Sequence, residues 1–248
     1  MFSFFHKKPR PARPLESLGC DLHSHLIPGI DDGVKDLDSS LELIRGLMEL
    51  GYRKVITTPH VNGDTYRNTP DTIGAGRVDV LAALQREGVQ VEFQAAAEYL
   101  MDDSFTGSLA AGGSFLTLQD NLLLVELSFA VPAINLRNIL FDLQLKGYQP
   151  VLAHPERYLY FAGNKGWYDE LREAGCLFQL NLLSFSGHYG PEVLQLANYL
   201  IKRKYVDFLG TDMHHQKHLE LLGSSPAIFR TVDKLVDAGL IRNAQLCG

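Results

Sequence analysis

Residues 20–25 read Cys20-Asp21-Leu22-His23-Ser24-His25, a short stretch that begins like a β-strand and ends in two histidines. Side chains in a strand alternate between its two faces, so His23 and His25 are expected on the same face. Later strand-like runs end in or next to His60, Glu98, Glu126, His154 and the pair Asp212 and His214. The pattern predicts that these side chains collect at one end of a sheet.

The fold follows from how such runs recur along the chain. Strand-like runs lie at residues 20–25, 54–60, 89–98, 122–127, 150–154, 176–182 and 206–212. Helical patterns lie between most of them and end at glycines, as helices commonly do. Alternating strands and helices imply a parallel sheet. Because an open sheet would spread the strand ends too widely for their side chains to meet, we predict an α/β fold with a closed seven-stranded β/α barrel.

Two segments interrupt this alternation. Residues 62–76 and 102–121 are rich in glycine and in turn-forming polar residues, and both follow runs that carry candidate ligands. We therefore expect loops or short helices over the active face of the barrel.

The polar residues at the strand ends have the chemistry of a catalytic metal site. Imidazole nitrogen and carboxylate oxygen occur together without a thiolate, which favours Zn, Mn or Fe in catalysis over a closed structural zinc site. The adjacent Asp31 and Asp32 follow the first run, and we expect one to bind metal while the other caps the loop or supports a ligand. The candidates outnumber the four ligands of one zinc ion, so two or three clustered ions are expected.

Composition bounds the remaining possibilities. The 248-residue chain has a formal net charge of −6 and 46% hydrophobic residues, which suit one domain with a buried core and argue against a nucleic-acid surface. Three widely spaced cysteines form no paired framework, so we expect free thiols and a cytoplasmic protein. The sequence contains no run that reads as a signal peptide or an integral membrane segment. We assign residues 1–18 to a flexible arm and residues 19–248 to a single catalytic domain.

Other phosphatase and hydrolase classes fit less well. A cysteine-dependent phosphatase would need an arginine six positions after its nucleophile, but Leu26 and Leu182 stand at these positions after Cys20 and Cys176. Amidohydrolase barrels also begin with His-x-His, but Asn181 stands where they have a histidine, and the last motif here is Asp-x-His.

Short motifs then occur in a fixed order: DLHSH at 21–25, PGIDDG at 28–33, TPH at 58–60, AEY at 97–99, LVE at 124–126, AHPERY at 153–158 and TDMH at 211–214. Together they resemble the polymerase and histidinol phosphatase (PHP) superfamily, and within it the bacterial capsular-polysaccharide-type protein-tyrosine phosphatases. The resemblance covers about residues 19–240 and implies a distorted seven-stranded barrel with three divalent ions, commonly Mn, with Fe and Zn as alternatives. It also implies a substrate, the phosphorylated tyrosine-rich tail of a bacterial tyrosine kinase that controls exopolysaccharide export.

Carried over by motif, the resemblance assigns the ligands to three ions. One ion would be held by His23, His25, Glu98 and Asp212, a second by Glu98, Glu126 and His154, and a third by Asp32, His60 and His214. Glu98 would bridge the first two ions. Arg157 matches the arginine that grips the substrate phosphate, whereas its position alone also allows a surface salt bridge.

One departure concerns a second arginine that the family often has a few residues beyond Asp-Met-His, where this chain has His215-Gln216-Lys217-His218. His215, Lys217 and His218 are all candidates to replace it, and we favour Lys217, because lysine stays charged at neutral pH whereas histidine does not. Arg67, in the loop after His60, is the alternative. The sequence leaves two other functions open: another phosphomonoesterase of the superfamily, such as a histidinol-phosphate phosphatase, and a metal-loaded regulatory subunit. It also leaves the oligomeric state open.

Overall fold

The computed structural model describes residues 13–131, 133 and 135–247, and parallel strands alternate with helices along them. The strands of this part of the chain are β1 (Cys20–Asp21), β2 (Lys54–Thr57), β3 (His60–Val61), β4 (Glu92–Ala95), β5 (Glu98–Leu100), β6 (Leu122–Glu126), β7 (Gln149–Ala153), β8 (Leu177–Asn181) and β9 (Phe208–Gly210). Its α-helices are α1 (Leu37–Leu50), α2 (Pro70–Arg86), α3 (Asp103–Ala110), α4 (Leu136–Leu145), α5 (Gly166–Glu173), α6 (Pro191–Lys202), α7 (Gln216–Ser224) and α8 (Pro226–Asp237). Each of the seven predicted runs contains strand residues.

Two of those runs are each divided into two short strands. The strands therefore form a three-stranded sheet in the order β1-β2-β4 and a six-stranded sheet in the order β3-β5-β6-β7-β8-β9, where the sequence predicted one set of seven. The first break includes Pro59, which has no backbone N–H to donate to a neighbouring strand. Backbone hydrogen bonds still cross both breaks, from Ala96 N to Thr57 O (2.8 Å) and from Glu98 N to Pro59 O (3.1 Å).

The first and last runs lie side by side at their C-terminal ends. Ser24 and Met213 form an isolated parallel bridge. His25 N donates to Met213 O and Asp212 N donates to His23 O, each over 2.8 Å. This pairing brings the His-x-His and Asp-x-His motifs next to each other.

Helix α1 illustrates how local sequence sets the element boundaries. The Asp36 side chain accepts a hydrogen bond from Ser39 N over 2.8 Å and so caps the first turn. Gly51 ends the helix with φ 117°, a left-handed conformation that favours glycine. Leu43, Ile44 and Leu47 lie on the buried face. The prediction that helical patterns end at glycines is confirmed, since a glycine with positive φ follows five of the helices, at Gly51, Gly88, Gly147, Gly175 and Gly239.

The first interrupting segment is more regular than predicted, and the second contains a short helix, as the prediction allowed. Helix α2 begins at Pro70, inside the first segment, and continues for 17 residues to Arg86. Its first turn carries a reciprocal capping box between Thr69 and Thr72. Helix α3 occupies residues 103–110 of the second segment, behind the N-cap Asp102. Among the residues with assigned structure, no helix is long and apolar enough to cross a membrane.

Residues 13–18 lie against the domain, although the sequence placed them in a flexible arm. Leu15 and Leu18 are fully buried, and Leu15 N donates to Leu50 O over 2.8 Å. The arm prediction overlooked these two buried leucines, of which Leu15 is hydrogen-bonded to the last residue of α1. Residues 1–12 lie outside the described part of the chain, so the outer part of the arm stays a prediction.

Replacing Leu15 with alanine is therefore expected to lower the free energy of unfolding by roughly 2–5 kcal/mol, the usual cost of a cavity at a buried leucine. Leu145→Ala is the matched control, because Leu145 is 69% exposed and its replacement is expected to change stability by about 0.5 kcal/mol or less. Urea unfolding followed by circular dichroism measures both. Equal effects in the two variants would support a flexible segment at Leu15.

Candidate metal centre

The predicted ligands lie at the C-terminal ends of the parallel strands. His60 and Glu98 are the first residues of β3 and β5, each directly after a break in its run, and Glu126 is the last residue of β6. The others lie in the connections after β1, β7 and β9: His23, His25, Asp32, His154, Asp212 and His214. The structure thus brings together all nine residues that the sequence singled out.

Glu98 lies at the middle of this cluster and is fully buried. Its Oε2 atom lies 3.1 Å from His23 Nε2, 3.5 Å from His25 Nε2 and 3.2 Å from His60 Nδ1. Its Oε1 atom lies 3.0 Å from His154 Nε2. One carboxylate that faces four imidazoles is suited to a bridging position between cations.

Four overlapping groups have ligand atoms within 4.8 Å of one another. They are His25-Asp32-His60-His214, His23-His154-Asp212, His23-His25-Glu98 and His60-Glu98-Glu126. These groups differ from the sets that the resemblance implied, because His154 lies with Asp212 and because His60 lies also with Glu98 and Glu126. The cluster therefore contains several overlapping groups with the geometry of a metal site, and the way in which the ligands group together is not set by the motifs.

Two of the site residues have unusual backbone conformations. His154 has φ 35° and Asp212 has φ 50°, in the left-handed region that residues other than glycine seldom adopt. Each such residue costs on the order of 1–3 kcal/mol, and these conformations concentrate at functional sites. His154 directly follows β7, and Asp212 lies two residues after β9.

The charged groups of the cluster shift one another's pKa values. Burial alone would lower the pKa of His23, but the carboxylates of Glu98 and Asp212 raise it to about 9. In the same way Glu98 and Glu126 outweigh burial and raise the pKa of His60 to about 10. Burial, together with the negative charge of Glu98, raises the pKa of Glu126 to about 7. A bound cation would have to displace protons from these groups.

Asp31 and Asp32 have different roles in the structure. The Asp31 carboxylate lies 2.8 Å from His25 Nδ1 and accepts hydrogen bonds from Gly33 N and His60 N. Asp32 belongs to the group with His60 and His214, and the nearby His214, whose Nε2 lies 3.6 Å from Asp32 Oδ1, lowers its pKa. The geometry supports Asp32 as the ligand and Asp31 as the residue that orients His25.

Sequence reasoning missed two supporting residues on β8. Gln179 Oε1 lies 2.7 Å from His23 Nδ1, and Asn181 Nδ2 donates to Asp212 Oδ2 over 2.9 Å. Both hold candidate ligands in a fixed orientation. A signal was present, since these polar residues alternate with Phe178 and Leu180 and so share one face of the strand.

Arg157 lies at the edge of the cluster rather than on the outer surface. Its Nη1 donates to Asp212 Oδ2 over 2.7 Å, and its side chain is 22% exposed. The guanidinium carbon lies 4.8 Å from the ring centre of Phe129 and 4.4 Å from that of Tyr189. Burial alone would lower the pKa of Arg157, but Asp212 raises it. The remaining N–H groups of the guanidinium stay available to an anion.

A cavity of about 310 Å³ opens over the cluster. Its walls are Asp32, His60, Glu126, Phe129, His154, Arg157, Tyr189, Asp212, His214, His215 and His218. A larger cavity, of about 540 Å³, lies between α3 and α4 and contains none of the candidate ligands. The smaller cavity is the one that carries the chemistry, because the titratable groups face it.

The chain matches, over residues 19–235, the family model described as capsular polysaccharide synthesis, CpsB/CapC. It belongs to the CpsB/CapC family. The family that the motifs resembled is thereby confirmed.

Individual members of the CpsB/CapC family are similar over most of the chain. Tyrosine-protein phosphatase YwqE from Bacillus subtilis is 30% identical over 198 residues, which cover 79% of this chain and 78% of that protein. Putative tyrosine-protein phosphatase CapC from Staphylococcus aureus is 22% identical over 194 residues, with 78% and 76% covered. Both relatives are named as tyrosine phosphatases.

One solved structure agrees with the family assignment, and a second shares the fold. The first comes from a study of YwqE from Bacillus subtilis and CpsB from Streptococcus pneumoniae, which are described as unique metal-dependent tyrosine phosphatases. It has a TM-score of 0.74 and 27% identity to this chain, and the match covers 89% of this chain and 94% of the solved one. An amidohydrolase from Mycoplasma synoviae has a TM-score of 0.51 at 14% identity, covering 94% and 86%. The second likeness concerns the fold alone.

The residues of the cluster fit divalent cations. Nitrogen and oxygen donors are mixed, and imidazole suits Zn and Fe while carboxylate suits Mn. His154 Nδ1 is buried and has no hydrogen-bond partner among the residues that the structure describes. Rings of His25 and His214 stack with centroids 3.9 Å apart, and His23 Nε2 lies 3.4 Å from His25 Nε2. Such close approach of imidazoles and carboxylates is typical of a shared cation site.

The cysteines lie away from this cavity. Cys20 and Cys176 are buried, and none of the three cysteines lines the cavity. Burial raises the pKa of the Cys20 thiol well above its ordinary value and that of Cys176 to about 12. Neither thiol can supply a thiolate nucleophile at neutral pH.

The two predicted replacements for the second arginine do not reach the cavity. Lys217 is exposed on α7. Arg67 is also exposed, and its Nε donates a hydrogen bond to Gly63 O over 2.7 Å. His215 and His218 line the cavity instead. The structure therefore favours the histidines over Lys217 and Arg67 as neighbours of a bound anion.

We expect Lys217→Ala to change kcat/KM by less than about twofold, because its ammonium group lies outside the cavity walls. Arg157→Ala is expected to lower kcat/KM by about a hundredfold, since a charge-assisted pair at the reacting group is lost. Steady-state kinetics on one phosphomonoester compares the variants. A tenfold loss in Lys217→Ala would restore the sequence-based assignment of this lysine.

Proposed function

We propose that this chain is a metal-dependent protein-tyrosine phosphatase. The observation that carries the proposal is the convergence of nine histidine and carboxylate side chains in one cluster, six of which line the cavity beside Arg157. The names of its CpsB/CapC relatives support phosphotyrosine as the substrate class. The buried cysteines are in keeping with hydrolysis that needs no thiolate.

We infer that the cluster holds three divalent ions, with Mn as the first choice and Fe or Zn as alternatives. The proposed ligands are His23, His25, Asp32, His60, Glu98, Glu126, His154, Asp212 and His214. When bound, such ions would supply Lewis-acid activation of water at neutral pH and neutralise charge on a phosphoryl group. The number of overlapping donor groups supports more than one ion.

The protein residues have separable roles in this proposal. Arg157 binds the phosphate through N–H groups that Asp212 does not occupy. Asp31, Gln179 and Asn181 keep His25, His23 and Asp212 in position, so that little reorganisation is needed when substrate binds. The leaving group is a phenolate of pKa about 10, which needs less protonation than an alkoxide.

We propose further that the strands form a closed, distorted barrel of seven runs within one domain, residues 19–248. The Ser24–Met213 bridge supports closure, because it pairs the first run with the last. The hydrogen bonds across the breaks at Pro59 and Ala96 support the treatment of each divided run as one barrel strand.

For a partner, we propose the phosphorylated tyrosine-rich tail of a bacterial tyrosine kinase, met in the cytoplasm. The family description, capsular polysaccharide synthesis, supports a role in capsule or exopolysaccharide production. The net charge of −6 gives no support to a nucleic-acid partner.

The proposal is tested by measuring metal content and turnover on a panel of phosphomonoesters, with and without added Mn. Phosphotyrosine peptide is expected to be hydrolysed faster than histidinol phosphate or phosphoserine peptide. Faster turnover of histidinol phosphate would assign the chain to another phosphatase activity. Metal-replete protein that turns over none of them would instead indicate a regulatory protein.

A further inference from the structure

Phe129 is an aromatic side chain at the mouth of the metal cavity that the proposed chemistry leaves without a role. It lies three residues after Glu126, in the connection that follows β6, and it lines the cavity with Arg157 and His154. The residue is 51% exposed. Single exposed apolar residues are common on proteins, so its contacts rather than its exposure carry the argument.

Three residues from the connection after β7 hold the Phe129 ring in place. It stacks on His154 with ring centroids 5.6 Å apart and planes 21° from parallel. The Tyr158 ring lies 5.5 Å away, and the guanidinium carbon of Arg157 lies 4.8 Å from the Phe129 ring centre. One part of the ring is thus packed against the site, and the rest faces the cavity.

We propose that Phe129 binds the phenyl ring of the substrate and so selects aryl phosphates over alkyl phosphates. This rests on the proposed function and adds the residue that determines its substrate class. The phenyl ring of phosphotyrosine is joined to phosphorus through one oxygen, so a phosphate held by Arg157 places that ring next to the guanidinium. The Phe129 ring centre lies 4.8 Å from the guanidinium carbon of Arg157, so the two rings would be neighbours. Aromatic rings attract each other at centroid separations of about 4.5–7 Å.

Tyr189 is the other ring next to Arg157, but it is less available. Its hydroxyl lies 3.2 Å from Asn181 Nδ2, in contact with the residues that hold Asp212. Its ring is only partly exposed, and its guanidinium contact is shorter, 4.4 Å. Tyr189 thus supports Arg157, which leaves Phe129 as the more exposed ring of the two.

The first test compares kcat/KM for phosphotyrosine peptide and phosphoserine peptide in the metal-loaded wild type, Phe129→Ala and Phe129→Trp. We expect Phe129→Ala to lower the ratio of the two values by about tenfold, because only the aryl substrate loses a stacking partner. Phe129→Trp is expected to retain the ratio. Phe141→Ala is the matched control, since Phe141 is 60% exposed on α4 and does not line the cavity.

Equal losses on both substrates in Phe129→Ala would mean that the ring only positions His154 and Arg157, and would overturn the proposal. Unchanged kcat/KM values for both substrates would overturn it as well. A merely structural role would not produce a change confined to the aryl substrate.

The second test measures binding without turnover, by calorimetry with phenylphosphonate and methylphosphonate. The wild type is expected to bind phenylphosphonate more tightly than methylphosphonate, and Phe129→Ala is expected to lower the ratio of the two affinities by about tenfold. Wild-type protein that shows the preference but hydrolyses no ester would contradict the proposed function and leave the role of Phe129 intact. Wild-type protein without the preference would contradict the role of Phe129 alone.

Discussion

Removal of divalent cations is expected to abolish phosphatase activity, with a loss of at least about a hundredfold that added Mn reverses. The reason is that the polar groups of the cavity are the proposed ligands, and Arg157 is the one arginine or lysine among the described residues that line it. Dialysis against a chelator, followed by metal analysis and a phosphotyrosine assay before and after Mn addition, measures the effect.

Thiol alkylation is the matching control. Cys20 and Cys176 are buried and outside the cavity, so alkylation of the folded protein is expected to leave activity intact. Mass spectrometry shows which thiols have reacted. Full activity in protein shown to be metal-free would contradict the prediction, as would inactivation by alkylation without unfolding.

The second large effect is expected for Glu98→Gln, with a loss of activity of at least about a thousandfold. Glu98 faces four imidazoles from inside the cluster, and its replacement removes the charge that they share. Metal content is expected to fall with activity. The exposed Glu49 on α1 provides the matched control, and Glu49→Gln is expected to retain both metal and activity.

Asp31→Asn gives an intermediate point in the same series. Asp31 orients His25 from outside the group of proposed ligands, and such supporting residues typically contribute about 10–100-fold to metal affinity or activity. Metal analysis of the Asp31→Asn and Asp32→Asn variants separates the adjacent acids. If Asp31→Asn loses more metal than Asp32→Asn, the assignment of the ligand to Asp32 is wrong.

Much of the fold could be predicted because its signals are local. Alternation of apolar residues located all the strand runs, and glycines at the ends of helices matched residues with positive φ. The division of two runs was missed, although Pro59 marked one break. The burial of Leu15 and Leu18 was also missed, because nothing in the sequence of this short segment indicates that it packs against the rest of the domain.

The candidate site was predicted in composition but not in arrangement. His-x-His and the other motifs named the residues that meet, because each lies at or beyond the end of a strand-like run and the C-terminal ends of parallel strands share one edge. Which ligand atoms share a group depends on side-chain directions and on the turns at His154 and Asp212, and neither can be read from spacing. Lys217 was chosen for its charge, but α7 presents it outside the cavity while His218 of the same helix lines it.

The sequence by itself determined the order of strands and helices, the family, and the donor types, because all three are properties of residues close together in the chain. Only the tertiary structure decided that Glu98 lies at the middle of the cluster, that Gln179 and Asn181 support the ligands, and that Phe129 lies beside Arg157. These contacts join residues from different strands and connections. Their distances are set by packing across the whole domain, which no local pattern encodes.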